Sequence, residues 1–236
     1  MASFITHRKH FGEAYRGLQS GYFARMPQKS GVFVSMNVPT DGIETGATNP
    51  GDIDLIVVPY ENDDLILDRV LACEVKVVRA NYLNQGKSPN DLGFSQATGL
   101  SKIGFPYVAL AHLIVSDSSP EHAWKSAMVA RIVDEDLRVE FVDPMRMDLM
   151  PADLIDRSFG RLKKIGSKSP VIGLIAAYIG NTDQDVAGPN RPSSFWMPMC
   201  RQAKFNPHFR KKLVKNVALL VERFPNTFFD VPRFDP

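Results

Sequence analysis

The sequence has only two cysteines and no apolar run long enough to cross a membrane. Cys73 and Cys200 belong to no CxxC or Cys/His spacing, which excludes a disulfide framework and a cysteine zinc site and favours a reducing compartment. The strongest apolar run, Val171 to Gly180, falls short of the roughly 20 residues that a membrane helix needs. Met1 to Arg8 contains no apolar stretch of signal-peptide length. We therefore expect a soluble, cytoplasmic protein with no membrane partner.

The chain also lacks compositional bias and several common catalytic signatures. Its 236 residues are 44% hydrophobic and 23% charged, which excludes disordered, fibrous and repeat architectures and fits one large domain or a domain with a small appendage. No P-loop, no GxGxxG after a strand and no Ser/His/Asp nucleophile signature is present. The five histidines show no metal-ligand spacing, and His112 is expected to lie in the core. These absences exclude a P-loop nucleoside triphosphatase, a dinucleotide-binding enzyme and a serine hydrolase.

Hydrophobic spacing in the first half predicts the order helix, strand, strand, strand, helix, strand. The predicted elements are a helix at His7–Gln19, strands at Gly31–Val38, Ile53–Val58 and Val70–Val78, a helix at Phe94–Ile103 and a buried strand at Tyr107–Ser116. Residues 126–133 and 137–142 fit either a hairpin or a helix that begins at Glu121.

The last third of the chain is predicted to be mostly helical. One helix is expected to begin at Pro151 and another at Asn206 and Pro207, followed by an irregular tail from Pro225 to Pro236. We therefore predict two domains: an α/β core over residues 1–145, and a helical, basic extension over residues 146–236 that packs on it.

The net charge of +2 hides an uneven distribution. The segment from Arg157 to Lys215 has twelve Lys or Arg and two Asp, whereas the remainder has sixteen basic and twenty-four acidic residues. Such a basic segment is either a solvated face or a surface that binds a polyanion.

Ionisable residues interrupt two otherwise apolar predicted strands. Period two places Asp52 and Asp54 on one face of Ile53–Val58, and Glu74 and Lys76 on one face of Val70–Val78. A buried carboxylate is costly unless it is paired, hydrogen-bonded or bound to a metal. Carboxylate oxygens suit Mg²⁺, and a nearby ammonium can orient water or offset charge on a phosphoryl oxygen. This set of groups indicates phosphodiester hydrolysis.

Gly51-Asp52-Ile53-Asp54 followed by Glu74-Val75-Lys76 resembles the core motif of the PD-(D/E)XK nuclease superfamily, which has the restriction-endonuclease-like fold. The resemblance covers about half of the chain and implies an α-β-β-β-α-β core with a mixed central sheet. It implies that Asp54, Glu74 and the Val75 carbonyl bind the metal and that Lys76 is catalytic. Asp52 competes with Asp54 for the role of the first acid.

The resemblance also implies roles for two helical residues. Glu13 would match an additional acidic metal ligand, and Gln96 would match the catalytic glutamine of the helix that follows the lysine strand. Ile53 stands where the motif has proline, and Leu100 stands where the RecB-like branch has tyrosine, so the branch is left open.

The expected function is a Mg²⁺-dependent nuclease acting on DNA, with Mn²⁺ as a substitute and a homodimer compatible with the resemblance. The alternative is a catalytically silent nucleic-acid-binding or assembly module of the same fold. Eight basic residues are the predicted phosphate contacts: Arg161, Lys163, Lys164, Lys168, Arg210, Lys211, Lys212 and Lys215.

Overall fold

The structure, a computed structural model, describes residues 1–43, 51–86, 92–134, 138–180 and 196–233. Its helices are α1 (Ala2–Thr6), α2 (Arg8–Leu18), α3 (Ser20–Phe23), α4 (Phe94–Ile103), α5 (Met150–Gly166) and α6 (Lys211–Arg223). Its strands are β1 (Ser30–Pro39), β2 (Asp52–Glu61), β3 (Asp64–Leu65), β4 (Leu71–Ala80), β5 (Tyr107–Ser116), β6 (Lys125–Ile132), β7 (Val139–Met147), β8 (Gly173–Ile179), β9 (Met199–Arg201) and β10 (Phe229–Pro232).

Eight of these strands form one mixed sheet in the order β10-β1-β2-β4-β5-β8-β9, with the short β3 paired to β2. The strand β2 pairs antiparallel with both β1 and β4, whereas β4, β5 and β8 run parallel to one another. Both edge strands, β9 and β10, pair antiparallel. The predicted α/β class with a mixed central sheet is confirmed.

Helices cover both faces of the sheet, so the molecule has three layers. One face, here called the α2 face, packs against α1 and α2, and the other, the α4 face, packs against α4, α5 and α6. Period two sends Leu55, Val57 and Cys73 to the α2 face, and Ile56 and Ala72 to the α4 face. Burial on both sides explains why the central strands are almost continuously apolar.

The local pattern located most elements of the first half correctly. The helix at Phe94–Ile103 and the strand at Tyr107–Ser116 have the predicted bounds, and α2 is shorter than predicted by one residue at each end. The strands β6 and β7 pair as an antiparallel hairpin, which decides between the two alternatives for that region. Of the described helices, none combines the length and the apolar composition that a membrane span requires.

The second half contains the two predicted helices, α5 and α6, together with strands that the local pattern did not predict. The strands β8 and β9 extend the sheet beyond β5, and β10, in the segment predicted as irregular, pairs with β1 at the opposite edge. Strands on both sides of the predicted boundary after residue 145 therefore share one sheet.

The sequence context of Asn206 predicted the start of a helix there, and this prediction is wrong. Its buried side-chain amide donates hydrogen bonds to the carbonyl oxygens of Ser101 (2.7 Å) and Phe105 (2.8 Å). These contacts hold Asn206 against the carboxyl end of α4, and α6 begins only at Lys211.

We expect Leu174→Ala in β8 to destabilise the whole protein in a single unfolding transition. Leu174 is completely buried on the α4 face, and truncation of a buried leucine costs about 2 to 5 kcal/mol. Leu219→Ala on the exposed side of α6 is the control, with an expected cost below about 0.5 kcal/mol. Urea unfolding measures both. Separate transitions in Leu174→Ala would mean that the two predicted domains fold independently.

Candidate functional site

Asp54 and Glu74 lie on the α4 face, where the pairing between β2 and β4 ends. The last paired residues are Leu55 and Cys73, so Asp54 and Glu74 are the next residue on each strand. The neighbouring strand is distorted at the same level: Asn37 has a φ of 51° and stands between the pairs Met36↔Leu55 and Val38↔Ile53. The two carboxylates thus meet at a local opening of the sheet.

A hydrogen bond to the backbone of β4 fixes the side chain of Asp54. The amide of Val75 donates to Asp54 Oδ2 over 2.7 Å, so the carboxylate replaces the missing backbone partner. Within an extended strand, the N–H and C=O groups of one residue point to the same side. The carbonyl oxygen of Val75 is therefore directed to the same opening as the Asp54 carboxylate.

Glu74 is buried and is held in an ion pair with Lys76. The Lys76 Nζ atom lies 2.9 Å from Glu74 Oε1, and only 9% of the Glu74 side chain is exposed. Burial raises the pKa of Glu74, the hydrogen bond from Lys76 lowers it and the charge of Asp54 raises it, with a net upward shift. The two neighbouring carboxylates repel each other, and a cation between them would remove that repulsion.

Gly93, which precedes α4, packs directly against this pair. Its φ is +86°, and a Cβ atom built on it would lie 3.2 Å from Lys76 Cε and 3.3 Å from Glu74 Cγ. The position therefore demands glycine both for its left-handed backbone and for its close approach. The contact brings the positive amino end of α4 against Glu74 and Lys76, where it favours negative charge.

His112 on β5 stands beside Lys76 in the parallel register and anchors the segment before α4. Its Nε2 atom lies 3.2 Å from the Leu92 carbonyl oxygen, and its Nδ1 atom lies 2.9 Å from Ser158 Oγ of α5. Because a carbonyl oxygen only accepts, Nε2 carries the proton, and Nδ1 accepts from the Ser158 hydroxyl. The expectation that His112 lies in the core is confirmed. Its contacts also show that it holds the segment before α4 in place, which local spacing could not show.

The structure separates Glu13 from these carboxylates. The helix α2 packs on the α2 face through Phe11 and Tyr15, and Glu13 forms an ion pair with Arg16 on the same helix. Glu74 lies on the opposite face of the sheet.

Asp54, Glu74 and Lys76 are called the cluster from here on. Two other predicted residues remain near the cluster but on its exposed side. Gln96 occupies the first turn of α4, where it accepts a hydrogen bond from the Ser95 hydroxyl over 3.1 Å. Asp52 is exposed and paired with Pro39 at the end of β1.

The predicted phosphate contacts are spread over several elements. Arg161 lies near the cluster: it donates to the Gly86 carbonyl oxygen, and its charge lowers the pKa of His112. Arg210 donates its backbone N–H to the carbonyl oxygen of Gly104, which lies before the start of β5 and eight residues before His112. The other predicted contacts are exposed on α5, just beyond it or on α6: Lys163, Lys164, Lys168, Lys211, Lys212 and Lys215.

The donor set fits a hard divalent cation that retains water. Within the described residues, no group of three or more His, Cys, Asp or Glu side chains comes together. Two carboxylates and one carbonyl oxygen would leave the remaining positions to water, as Mg²⁺ commonly requires. Asp54, Glu74 and the Val75 carbonyl are the residues that could hold such an ion.

Comparisons of the chain with protein-family models, curated proteins and solved structures found no match. The functional assignment therefore depends on the sequence motif and on the geometry described above.

We expect Mg²⁺ and Mn²⁺ to raise the melting temperature of the wild type but not of Asp54→Asn. Asparagine retains the acceptor for the Val75 amide but removes the charge that a cation requires. A bound ligand at 100 times its Kd stabilises a protein by about 2.7 kcal/mol, which thermal unfolding detects readily.

Asp52→Asn is the matched control for this measurement, and it also decides which aspartate is the first ligand. We expect its response to both metals to equal that of the wild type. Loss of the response in Asp52→Asn, with retention in Asp54→Asn, would assign the ligand to Asp52 instead.

We expect stability to fall as the pH decreases below about 6.5, and His112→Gln to reduce this fall. Burial lowers the pKa of His112, the hydrogen bond to the Leu92 carbonyl raises it, and the charges of Arg161 from α5 and Lys76 from β4 lower it, with a net downward shift. The unfolded state therefore takes up a proton before the folded state does, and each pH unit within this window costs up to about 1.4 kcal/mol. Urea unfolding between pH 7.5 and 5 measures both proteins. Equal pH dependence would contradict the neutral assignment.

Proposed function

We propose that this protein is a Mg²⁺-dependent nuclease that hydrolyses phosphodiester bonds in DNA. The observation that carries the proposal is the meeting of Asp54 and Glu74 at the opening between β2 and β4, with the Lys76 ammonium 2.9 Å from Glu74. Two carboxylates and one amine on the same face are the groups that metal-assisted phosphoryl transfer needs.

Each residue of this cluster has a separate task in the proposed reaction. A bound Mg²⁺ supplies a water of lowered pKa and neutralises charge on the phosphate. Asp54, held by the Val75 amide, and Glu74 provide the oxygen ligands. With the Glu74 charge directed to the cation, the Lys76 ammonium is available to orient the attacking water or to stabilise a phosphoryl oxygen.

The topology around the cluster supports membership of the PD-(D/E)XK superfamily. Helix α2 is followed by the antiparallel strands β1, β2 and β4, then by α4 and by β5, which is parallel to β4. This is the α-β-β-β-α-β order that the resemblance implies, with β3 as a short addition. Both acidic residues and the lysine fall on the strands where the motif requires them.

Exposed basic side chains on α5 and α6, the helices that pack on the α4 face, support a polyanionic substrate. Lys163 and Lys164 project from the end of α5, and Lys211, Lys212 and Lys215 from the start of α6. Contacts of this kind hold the phosphate backbone without reading its sequence, and they weaken as salt concentration rises. The homodimer stays a prediction.

The alternative is a catalytically silent nucleic-acid-binding module. The short contact between Lys76 and Glu74 favours it, because a buried ion pair can also serve the fold alone. The two functions differ in whether these residues act on a phosphodiester bond.

We expect Lys76→Ala to reduce DNA cleavage by about 100-fold or more while DNA binding changes little. Loss of one group that stabilises charge in the transition state commonly has an effect of this size. The assay follows nicking and linearisation of plasmid DNA in Mg²⁺ or Mn²⁺, with EDTA as the blank, and filter binding measures affinity.

Lys102→Ala is the matched control, because Lys102 is an exposed lysine at the far end of α4. It should cleave as the wild type does. Metal-dependent cleavage that survives in Lys76→Ala would disprove the catalytic role. A wild type that binds DNA but never cuts it, in either metal, would establish the silent module.

A further inference from the structure

A cavity of about 720 Å³ opens on the α2 face of the sheet, away from the Asp54 and Glu74 cluster. It lies between α2 and the edge formed by β1 and β10. The volume is within the range of small-molecule binding sites, which is about 300 to 1,000 Å³.

The interior of the cavity is mainly apolar and partly aromatic. The ring of Tyr15 stacks on Phe11 with 6.3 Å between centroids, and Phe23 meets Tyr15 edge-on at the same distance. Met26 and Val231 complete the apolar wall. Such a lining accepts a ligand body of aliphatic or aromatic carbon.

Basic side chains surround this apolar interior. Among the described residues that line the cavity, Arg8, Lys9, Arg16 and Arg233 are basic, and Glu13, which is paired with Arg16, is the one acid. These described lining residues therefore have a net positive charge. An anionic group on the ligand would be attracted to it.

Arg233 provides the most specific polar group. Its guanidinium carbon lies 5.6 Å from the centroid of the Phe23 ring, so a cation–π contact holds the side chain against the cavity wall. The Nε atom of Arg233 is buried and makes no hydrogen bond within the described structure. A buried donor without an acceptor is costly, and the guanidinium of Arg233, which lines the cavity, would pair with a carboxylate of a ligand.

We propose that this cavity binds a small amphiphilic carboxylate, with its apolar body against Phe11 and Phe23 and its charged end toward Arg233. A nucleobase fits less well, because its polar edges need several neutral hydrogen-bonding partners and the lining consists of apolar and cationic side chains. The site is on the other face of the sheet from the proposed nuclease cluster and does not depend on that function.

Decanoate is the probe, and isothermal titration calorimetry on the full chain measures its binding. We expect saturable binding of one decanoate per chain, and at least about tenfold weaker binding of decyltrimethylammonium, which has the same chain and the opposite charge. Equal affinity for both probes would overturn the proposal, because the cationic lining would then have no role.

Gly12→Phe is designed to fill the cavity. Gly12 lines it on α2, and an added Cβ atom would meet nothing within 4 Å. Gly160→Phe is the matched control, since Gly160 on α5 has equally open surroundings but lies outside the cavity lining. We expect at least about tenfold loss of decanoate affinity in the first variant and none in the second.

Arg233→Gln tests the polar contact separately and protects the test against a folding failure of Gly12→Phe. It should weaken decanoate binding about tenfold or more and leave the binding of decanol, the neutral analogue, unchanged. Wild-type affinity in both folded variants, or attachment to phosphatidylglycerol vesicles without any binding of decanoate, would overturn the proposal.

Discussion

A buried carboxylate at the centre of an apolar sheet is the constraint on which the rest of the site depends. Glu74 shares its face with Ala72 and Val78, and such surroundings favour the neutral acid unless positive charge or hydrogen bonds compensate. Lys76 provides one compensating charge through its ion pair with Glu74, and the positive amino end of α4, at Gly93, lies close to the same side chain. Because a second carboxylate, Asp54, lies beside Glu74, these positive charges do not balance the negative ones. A divalent cation would supply the missing positive charge.

The surrounding elements hold this cluster in position without belonging to it. The segment before α4 is held to β5 and α5 through His112, which contacts Leu92 and Ser158 at once. That segment leads to Gly93, whose close approach sets the position of the Glu74 and Lys76 side chains. The geometry of the cluster therefore depends on the parallel strands and on α5, which comes from the second half of the chain.

Local patterns in the sequence could locate α4, β5 and the strand positions of Asp54 and Glu74, because alternation and apolar runs are local properties. They could not locate contacts between distant segments. The pairing of β10 with β1 and the use of Asn206 to close the end of α4 each join residues about 100 or more positions apart. Such contacts are selected by packing and by the hydrogen bonds of buried groups, which a single sequence does not display.

The packing of α2 also limits the ligands that the cluster could offer to an ion. Because Phe11 and Tyr15 anchor α2 on the opposite face, Glu13 contributes no third carboxylate, and the described residues offer Asp54, Glu74 and the Val75 carbonyl. Structural zinc needs four nitrogen or sulfur ligands, and calcium prefers six to eight oxygens, commonly from several carboxylates. Magnesium is held by one or two carboxylates and keeps several waters. A site that leaves coordination positions to water is also one that can present a water, or a phosphate oxygen, at the cation.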